Sequence, residues 1–495
     1  MNKAAINWTK HRYSPYTPLM DQKNTKSKPR RSSGNPKNGG RRINYADRRR
    51  KRKPAVSSRL VVLDLMAEII GKGHPLQEAI KRHEDWGKLD DRDRRFARRL
   101  ITITLRYRRT ARTILNRYLQ KPNYRKNRKA EAILILAVVE LIWADGDGYA
   151  VVDQAVRMMR GKGFTHMTSL ANAVLRKIAN DQDALRAEEF DPMINAPQWL
   201  SEHLKRDWGD KASSIMRAFL SEPSLDFSCK NNPEEWAKKL DGALLGHDSI
   251  RRRDGNPALL EGYDEGNWWV QDAAAALPAI ILQRVSSQFI NKTVVDLCAA
   301  PGGKTAQLVA MGANVTAVDN APERLKTLKA NMSRLQMSPE VITADGKTWT
   351  PSELVDAVLL DAPCSATGTL RRRPDIFSHE QAPDFKTLNT LQKDLLHASA
   401  KWLKPGGVMV YATCSILKIE GEHILENLPK DVSVHPLKED DIEGINLQID
   451  ENGFARAMPD AVLLNNAKFI PEDMDSSENI PQGNDGFFIA CLIKN

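Results

Sequence analysis

The sequence predicts an α/β protein in which an all-helical domain precedes a mostly parallel, doubly wound sheet with flanking helices. Three observations support this fold class. Residues 293–310 read in succession as a strand, a glycine turn and a helix. Two later runs, 355–364 and 408–415, begin as apolar stretches typical of buried parallel strands. By contrast, residues 57–180 carry long apolar segments that indicate a helical bundle.

The glycine turn is the feature around which the sheet is predicted to form. It follows the apolar run 293–295 and reads Asp296-Leu297-Cys298-Ala299-Ala300-Pro301-Gly302-Gly303-Lys304-Thr305. Because glycines lack Cβ atoms, such a turn lets backbone N–H groups and a helix N-terminus approach a ligand closely. Its spacing matches neither the G-x-G-x-x-G dinucleotide fingerprint nor a phosphate loop.

The strand that follows supports a nucleoside ligand. The apolar run 315–318 ends in Asp319. An acidic residue at the end of the second strand suits the two hydroxyls of a ribose. The alternative interpretation is that the turn is only a tight structural connection.

Length and composition limit the possible classes of protein. The chain has 495 residues, too many for one hydrophobic core, and a chain of this length is expected to form about three domains. No apolar run approaches the ~18 residues of a membrane span, and the N-terminus lacks a secretory signal. Five cysteines in so long a chain do not form a disulfide framework, so we expect a reducing compartment, the cytoplasm.

Most of the positive charge lies in an N-terminal tail. The whole chain has a formal net charge of +12, whereas residues 1–54 alone hold 17 Lys and Arg against two Asp. The tail ends in a basic run at 48–53, and its Pro, Gly, Ser and Asn content predicts disorder. Two interpretations stay open: attraction to nucleic acid phosphates, or a dispensable solvated extension.

Residues 55–182 are predicted to form the helical domain. An Arg-rich helix opens at 92–96 with Arg-Asp-Arg-Arg-Phe, a central helix covers 134–141, and Asn-Ala-Val-Leu-Arg-Lys-Ile closes the domain at 172–178. This pattern resembles the NusB RNA-binding fold. The basic helix is either part of an RNA surface or simply a solvated charged face.

Residues 183–265 are predicted to be a connector or RNA-binding subdomain with helical and turn signals. A proline at 197 marks the first turn of one helix. Just beyond this segment, Trp268 and Trp269 could stack on a base or a cofactor ring. We favour the other interpretation, in which both tryptophans belong to a hydrophobic core.

Reactive side chains follow the predicted strands where each strand ends. Asp361 and Cys364 follow one buried strand, Cys414 follows another, and Asp319 and Asp345 lie after two more segments. Ligands of parallel sheets bind beyond the carboxyl ends of the strands, so these side chains and the glycine turn should face one crevice. A single cysteine is more often a small buried hydrophobe. Two cysteines at strand ends beside a carboxylate favour chemistry instead.

The remaining cysteines lack such neighbours. Cys229 and Cys491 are interpreted as structural residues. Cys298 lies within the glycine turn and is predicted to pack near the ligand.

Four motifs carry a resemblance to a known family. They are Asp-Leu-Cys-Ala-Ala-Pro-Gly-Gly-Lys-Thr at 296–305, Asp-Ala-Pro-Cys-Ser at 361–365, Ala-Thr-Cys-Ser at 412–415 and Asp-Gly-Phe-Phe at 485–488. On these motifs residues 266–495 resemble the Sun (Nol/Nop/Sun) family of RNA 5-methylcytosine methyltransferases. With the NusB-like domain in front, the whole arrangement resembles bacterial members that act on small-subunit ribosomal RNA. The basic tail departs from the common pattern, as does the segment 227–232, where the family usually has Arg-Val-Asn.

The resemblance implies a Rossmann-like domain that uses S-adenosylmethionine to methylate carbon-5 of a cytosine in RNA. Carbon-5 is a poor nucleophile until a thiolate adds at carbon-6, which is covalent catalysis. The resemblance assigns the nucleophile to Cys414, assistance in product release to Cys364, and contact with ring nitrogen-3 to Asp361.

The resemblance also implies the binding residues. Those for the cofactor are Cys298, Ala299, Ala300, Pro301, Gly302, Gly303, Lys304, Asp319, Arg324, Asp345 and Asp361. Those for substrate phosphates are Arg371, Arg372 and Arg373. No metal is expected. The partner is ribosomal RNA and the protein is expected to be a monomer.

Three other functions are alternatives to RNA 5-methylcytosine methylation. A DNA cytosine methyltransferase uses a Pro-Cys strand end but does not need the second site at Cys414. An amino-group methyltransferase would show Pro-Pro-aromatic after the acid, whereas Asp361 is followed by Ala-Pro-Cys. A non-enzymatic RNA-binding factor would have no reason to keep a complete cofactor turn and two strand-end cysteines.

Overall fold

The computed structural model describes residues 56–119, 127–287, 289–461, 467–471 and 482–495. The predicted basic tail, residues 1–54, lies outside the described residues. Within these ranges every helix is too short or too polar to span a lipid bilayer.

The first domain is a helical bundle, as predicted. Its helices are α1 Ser58–Met66, α2 Leu76–Arg82, α3 Asp91–Tyr118, α4 Arg128–Trp143, α5 Gly148–Gly161, α6 Thr168–Asn180 and α7 Gln182–Ala187. The long helix α3 begins where the Asp90 side chain accepts a hydrogen bond from the Asp93 N–H, an N-cap that satisfies one free backbone donor. Helix α4 is buried on nearly all sides, because α1, α3, α5, α6 and α7 pack around it.

The connector contains three α-helices and a small antiparallel sheet. Its elements are α8 Gln198–Trp208, α9 Ala212–Leu220, β1 Leu225–Cys229, α10 Pro233–Lys239, β2 Ala243–Leu244, β3 Ile250–Arg252 and β4 Trp268–Val270. The strand order is β2-β3-β1-β4. Because β4 pairs with β1, residues 268–270 belong to this sheet, although we predicted the connector to end at 265. Trp268 and Trp269 are buried, which confirms their interpretation as core residues.

The C-terminal domain is built on a mixed sheet of nine strands within the described residues. These are β5 Thr293–Leu297, β6 Asn314–Asp319, β7 Glu340–Thr343, β8 Val355–Asp361, β9 Leu403–Thr413, β10 Val432–His435, β11 Gln448–Ile449, β12 Ala455–Ala457 and β13 Phe487–Lys494. The order is β11-β12-β13-β9-β8-β5-β6-β7, and β10 pairs with β13. Strands β5 to β9 form the predicted parallel half, and β13 pairs antiparallel with β9.

Helices cover both faces of this sheet. They are α11 Ala273–Ser286, α12 Gly303–Ala310, α13 Pro322–Arg334, α14 Phe385–Ser399 and α15 Glu422–Leu425. Successive residues of a strand point to opposite faces. Thus Leu359 of β8 packs in the core beneath α11 and α12, whereas Leu360 packs in the core beneath α14.

The Arg-rich helix α3 contacts the C-terminal domain directly. Arg106 donates to the Arg371 carbonyl at 2.5 Å and Arg108 donates to the Phe377 carbonyl at 3.2 Å. Both guanidinium side chains are buried. Arg92, in contrast, is exposed at the start of the helix. The second half of α3 is therefore an interdomain contact, which neither prediction for this helix included.

Candidate active site

The glycine turn joins β5 to α12 as predicted. Gly302 has a φ of +103°, and a Cβ there would lie 2.9 Å from the Leu328 Cγ, so both conformation and space require glycine. Two other residues beside the cleft, Cys298 at φ +64° and Ala366 at φ +57°, also have left-handed backbones. Strained non-glycine residues of this kind cluster at functional sites.

A cleft opens above the carboxyl ends of the parallel strands. The lining includes the turn residues that we predicted to hold a cofactor, with Gly302 excepted. The lining residues are Val270, Gln271, Asp272, Ala275, Asp296, Cys298, Ala299, Ala300, Pro301, Gly303, Lys304, Asp361, Ala366, Thr369, Arg372, Arg373, Cys414 and Phe487.

Asp296, at the base of the turn, is fully buried. Its Oδ2 accepts a hydrogen bond from the Thr305 hydroxyl at 2.5 Å, while its Oδ1 has no hydrogen-bond partner among the described residues. Burial raises the pKa of this carboxyl group to about 7, against the lowering effect of the Thr305 hydrogen bond. A ligand with a cationic or N–H group would satisfy the second oxygen.

The two predicted reactive cysteines lie side by side. Cys364 follows β8, Cys414 follows β9, and their Sγ atoms are 3.4 Å apart. Neither cysteine forms a disulfide, and both are only partly buried. Backbone hydrogen bonds hold the two strand ends together: the Ala362 N–H donates to the Ala412 carbonyl at 2.8 Å, and the Gly368 N–H donates to the Cys414 carbonyl at 3.0 Å. The parallel pairing of β8 with β9 thus brings the two sulfur atoms together.

An ion pair lies in the cleft that Cys414 also lines, whereas Cys364 is not among the lining residues. The Lys304 Nζ is 3.2 Å from the Asp361 Oδ2 and 5.1 Å from the centre of the Phe487 ring. The lysine comes from the glycine turn, the aspartate from the end of β8 and the phenylalanine from the start of β13. Three separate segments therefore place a cation, a carboxylate and an aromatic ring around one space.

Two predicted cofactor acids do not line the cleft. Asp319 ends β6 as predicted, but it is buried and accepts hydrogen bonds from the Ala300 N–H at 3.2 Å and the Ala321 N–H at 3.0 Å. Its Oδ2 also lies 3.0 Å from the Arg324 Nη2, which donates to the Ala300 carbonyl at 2.6 Å. Asp345 is exposed and accepts from the Lys347 N–H. In this arrangement Asp319 and Arg324 support the glycine turn from outside.

Comparison with known proteins identifies the family. Residues 280–493 match the model of the 16S rRNA methyltransferase RsmB/F family, and residues 56–180 match the NusB family. The ribosomal RNA small subunit methyltransferase B of Klebsiella pneumoniae subsp. pneumoniae is 30% identical over 89% of this chain and 99% of its own length.

The chain belongs to the RsmB/F family.

Other relatives agree with this assignment. The methyltransferase B of Pseudomonas putida is 31% identical over 75% of this chain and 88% of its own length. The crystal structure of PH0851 has the same fold, with a TM-score of 0.63 at 22% identity over 89% of this chain and 99% of that one. As an RsmB/F protein the chain is an RNA methyltransferase, and its family and fold imply a cofactor of the S-adenosylmethionine type.

The residues of this RsmB/F protein fit such a cofactor. The open backbone of the glycine turn suits the close approach of a nucleoside ligand. The buried Oδ1 of Asp296, which lacks a partner in the described part of the chain, suits the ammonium group of the cofactor's methionine portion.

One predicted phosphate contact needs correction. Arg371 is 1% exposed, and its Nη2 donates to the Glu222 carbonyl at 2.9 Å, so its charge is directed into the protein. Arg372 and Arg373 do line the cleft, although Arg372 also pairs with the buried Asp485. Only two members of the three-arginine run therefore line the cleft.

Sequence reasoning gave no role to several residues at the site. Phe487 was matched as part of a motif, yet its position over Lys304 follows only from the pairing of β13 with β9. Gln271 accepts from the Trp269 Nε1 at 2.7 Å and donates to Gln307 at 3.0 Å, so it joins the small sheet to α12 at the cleft wall. The sequence signal that could have indicated this role is the polar pair Gln271 and Asp272, which lies immediately before α11.

Of the other three cysteines, Cys229 and Cys491 are not part of the cleft lining. Burial raises the pKa of Cys229 to about 12 and that of Cys491 to about 12, so neither is a ready thiolate. Cys298 lines the cleft within the turn. Among the described residues no cluster of His, Cys, Asp and Glu could hold a metal ion.

Proposed function

We propose that this protein methylates carbon-5 of a cytosine in small-subunit ribosomal RNA through a covalent bond between Cys414 and the base. The observation that carries the proposal is the pair of thiols that follow β8 and β9, 3.4 Å apart, of which Cys414 lines the same cleft as the Lys304–Asp361 ion pair. An RNA methyltransferase that modified an amino group would not need two cysteines in this position.

In the first step, the Cys414 thiolate adds to carbon-6 of the cytosine. As the C–S bond forms, the π electrons of the ring shift toward nitrogen-3, which takes up a proton, and carbon-5 becomes an enamine carbon. Asp361 would hold nitrogen-3 by a hydrogen bond as charge develops there or, when its own carboxyl group is protonated, supply that proton. Lys304, 3.2 Å from the Asp361 carboxylate, limits the electrostatic penalty of placing that carboxylate beside an anionic thiolate.

In the last step, the proton on carbon-5 passes to a base, which we assign to the Cys364 sulfur in its thiolate form, and the C–S bond breaks. The electrons of the C–H bond restore the ring double bond, and the Cys414 thiolate departs. Cys364 is close enough to the same sulfur to assist this elimination. Its partly exposed thiol is the group we assign to product release.

The cofactor, S-adenosylmethionine, supplies the electrophilic methyl group when it is bound. The residues proposed to hold it are those of the turn from Cys298 to Lys304, together with Asp319, Arg324, Asp345 and Asp361. The Asp319 carboxylate already pairs with the Arg324 guanidinium at 3.0 Å. It would therefore contact the ribose only while it also keeps this ion pair.

Contacts to the RNA are assigned to Arg372 and Arg373 at the cleft and to exposed arginines of the NusB-like domain, among them Arg92. Guanidinium groups suit phosphates because they combine a fixed charge with several donors. Since bacterial ribosomes assemble in the cytoplasm, we place the enzyme there, acting as a monomer.

Bisulfite sequencing of ribosomal and transfer RNA from cells with and without this gene tests the proposal. We expect one protected cytosine in small-subunit ribosomal RNA to become convertible when the gene is deleted. Restoring the wild-type gene should return the protection, and restoring a Cys414→Ala gene should not. Protection that persists in the deletion strain would contradict the proposed function.

A further inference from the structure

A buried carboxylate lies directly behind the two reactive cysteines. Glu420 closes a short turn after β9 and is fully buried. Its Oε1 accepts from the Ser365 N–H at 2.8 Å, and its Oε2 accepts from the Ser365 hydroxyl at 2.5 Å. The side chain of Gln392 donates to the same carboxylate at 3.2 Å and to the Pro363 carbonyl at 2.8 Å. The carboxylate thus fixes the chain on both sides of Cys364.

The same network reaches the loop that carries Cys414. The Ser365 hydroxyl is 3.2 Å from the Thr367 hydroxyl, which is 3.0 Å from the Ser415 hydroxyl. The Ile416 N–H donates to Thr367 and the Leu417 N–H donates to Ser415. Because Ser365 follows Cys364 and Ser415 follows Cys414, one chain of hydroxyls joins the two cysteine loops to Glu420.

The backbone of Glu420 is anchored to β9, the strand that immediately precedes Cys414. The Tyr411 hydroxyl donates to the Glu420 carbonyl at 3.0 Å, and the Thr413 hydroxyl donates to it at 3.3 Å. Every group in this network therefore belongs to β9, to the helix α14 or to the two loops that hold the sulfur atoms.

Burial of Glu420 is energetically unfavourable by itself. Desolvation raises the pKa of its carboxyl group, in spite of the hydrogen bonds from Ser365 and Ser415 that lower it. In the described part of the chain Glu420 forms no ion pair that would offset this penalty. Well-packed apolar residues often stabilise a core better than buried charged groups do. Stability alone is thus a weak explanation for a carboxylate in this position.

We propose that Glu420 is a positioning residue that sets the separation and orientation of the Cys414 and Cys364 thiols. This inference rests on the proposed function, in which both thiols act on one pyrimidine ring at adjacent carbons. The two sulfur atoms must then keep a fixed distance from each other throughout the reaction. A displacement of about 1 Å at a reacting group can slow a reaction on the order of 10²-fold.

Two substitutions test the positioning role. Glu420→Ala removes the acceptor for both Ser365 donors, and kcat for methylation of ribosomal RNA should fall on the order of 10²-fold. The KM for RNA and the Kd for S-adenosylmethionine should stay within about twofold, because Glu420 does not line the cleft. Glu420→Gln keeps an acceptor for the Ser365 N–H, so it should recover about tenfold of that loss.

A matched control separates positioning from simple loss of stability. Asp356, at the opposite end of the sheet, accepts hydrogen bonds from the Thr293 N–H at 2.8 Å and the Thr293 hydroxyl at 2.9 Å and pairs with Lys404. Asp356→Ala should lower the melting temperature while leaving kcat within about twofold of wild type. An unchanged kcat in Glu420→Ala, or a fall no larger than in Asp356→Ala, would overturn the proposal.

Two further measurements keep the test decisive. If Glu420→Ala does not fold, Ser365→Ala breaks the hydroxyl chain at one atom and should lower kcat on the order of tenfold; a wild-type kcat would overturn the proposal. Wild-type protein that forms no 5-methylcytosine would refute the proposed function itself. Wild-type protein that forms it, together with a fully active Glu420→Ala, would refute only the positioning role.

Discussion

Two aspartates at opposite edges of the parallel sheet, Asp356 and Asp296, have pKa values that are shifted in opposite directions. At the amino edge, Asp356 is partly exposed, and hydrogen bonds from Lys404 and Thr293 outweigh burial and hold its pKa below the usual range. At the carboxyl edge, Asp296 is fully buried and burial raises its pKa to about 7. The amino edge is arranged for stability. The carboxyl edge keeps an unfavourable carboxylate in the cleft that Cys414 also lines, which is the pattern expected of a functional site.

The largest effect should come from Cys414 at the carboxyl edge. Cys414→Ala should abolish methylation, because no thiolate then adds to the cytosine ring. The measurement is transfer of a labelled methyl group to ribosomal RNA from cells that lack the gene. Cys491→Ala is the matched control: this cysteine lies inside β13, and its loss should leave methylation intact. Full activity of Cys414→Ala would show that the reaction does not use this thiol.

The second effect is a pH dependence of stability that distinguishes the two edges. The folded-state pKa of Asp296, about 7, lies above the value of about 3.9 for an unfolded aspartate. Its contribution to stability is therefore fully present below about pH 4 and is lost as pH rises through 7. The difference between these pKa values corresponds to about 4 kcal/mol.

Asp296→Asn should remove this dependence and make the melting temperature of the cofactor-free protein fall less between pH 5 and 8 than in wild type. Asp356→Asn should change the pH dependence of stability in the opposite direction. Because the folded-state pKa of Asp356 is lowered, its ionised carboxylate stabilises the folded protein above the unfolded-state pKa, and this contribution is lost as pH falls through the folded-state pKa. Parallel melting curves for Asp296→Asn and wild type would contradict the assigned environment of Asp296.

A smaller effect is expected from Asp319, which supports the glycine turn. Asp319→Ala should weaken binding of S-adenosylmethionine by ~1–3 kcal/mol, as does the loss of a hydrogen bond to a charged group. Isothermal titration calorimetry measures this affinity, and a thermal melt must first establish that the variant is folded. An unchanged affinity would limit Asp319 to its contacts with Ala300 and Arg324.

These differences also indicate what could be predicted from the sequence. The turn at 296–305 and the strand-end cysteines were predictable, because glycine spacing and apolar runs are local signals. The direction of Arg371 was not, since its partner is the carbonyl of Glu222, far away in the chain. The membership of Trp268 in the small sheet likewise depends on pairing with Cys229. Local patterns locate the strand ends, whereas the groups that face them are decided by long-range packing.

The roles of the two thiols are the central claim, and a covalent protein–RNA adduct tests them most directly. Cys364→Ala should still attack and methylate the cytosine but stall before elimination, so an adduct should accumulate and survive denaturing electrophoresis. Cys414→Ala and the double variant should give no adduct, because the attacking thiolate is absent. An adduct formed by Cys414→Ala and not by Cys364→Ala would reverse the two roles. Adduct-free, fully active single variants would contradict the covalent mechanism altogether.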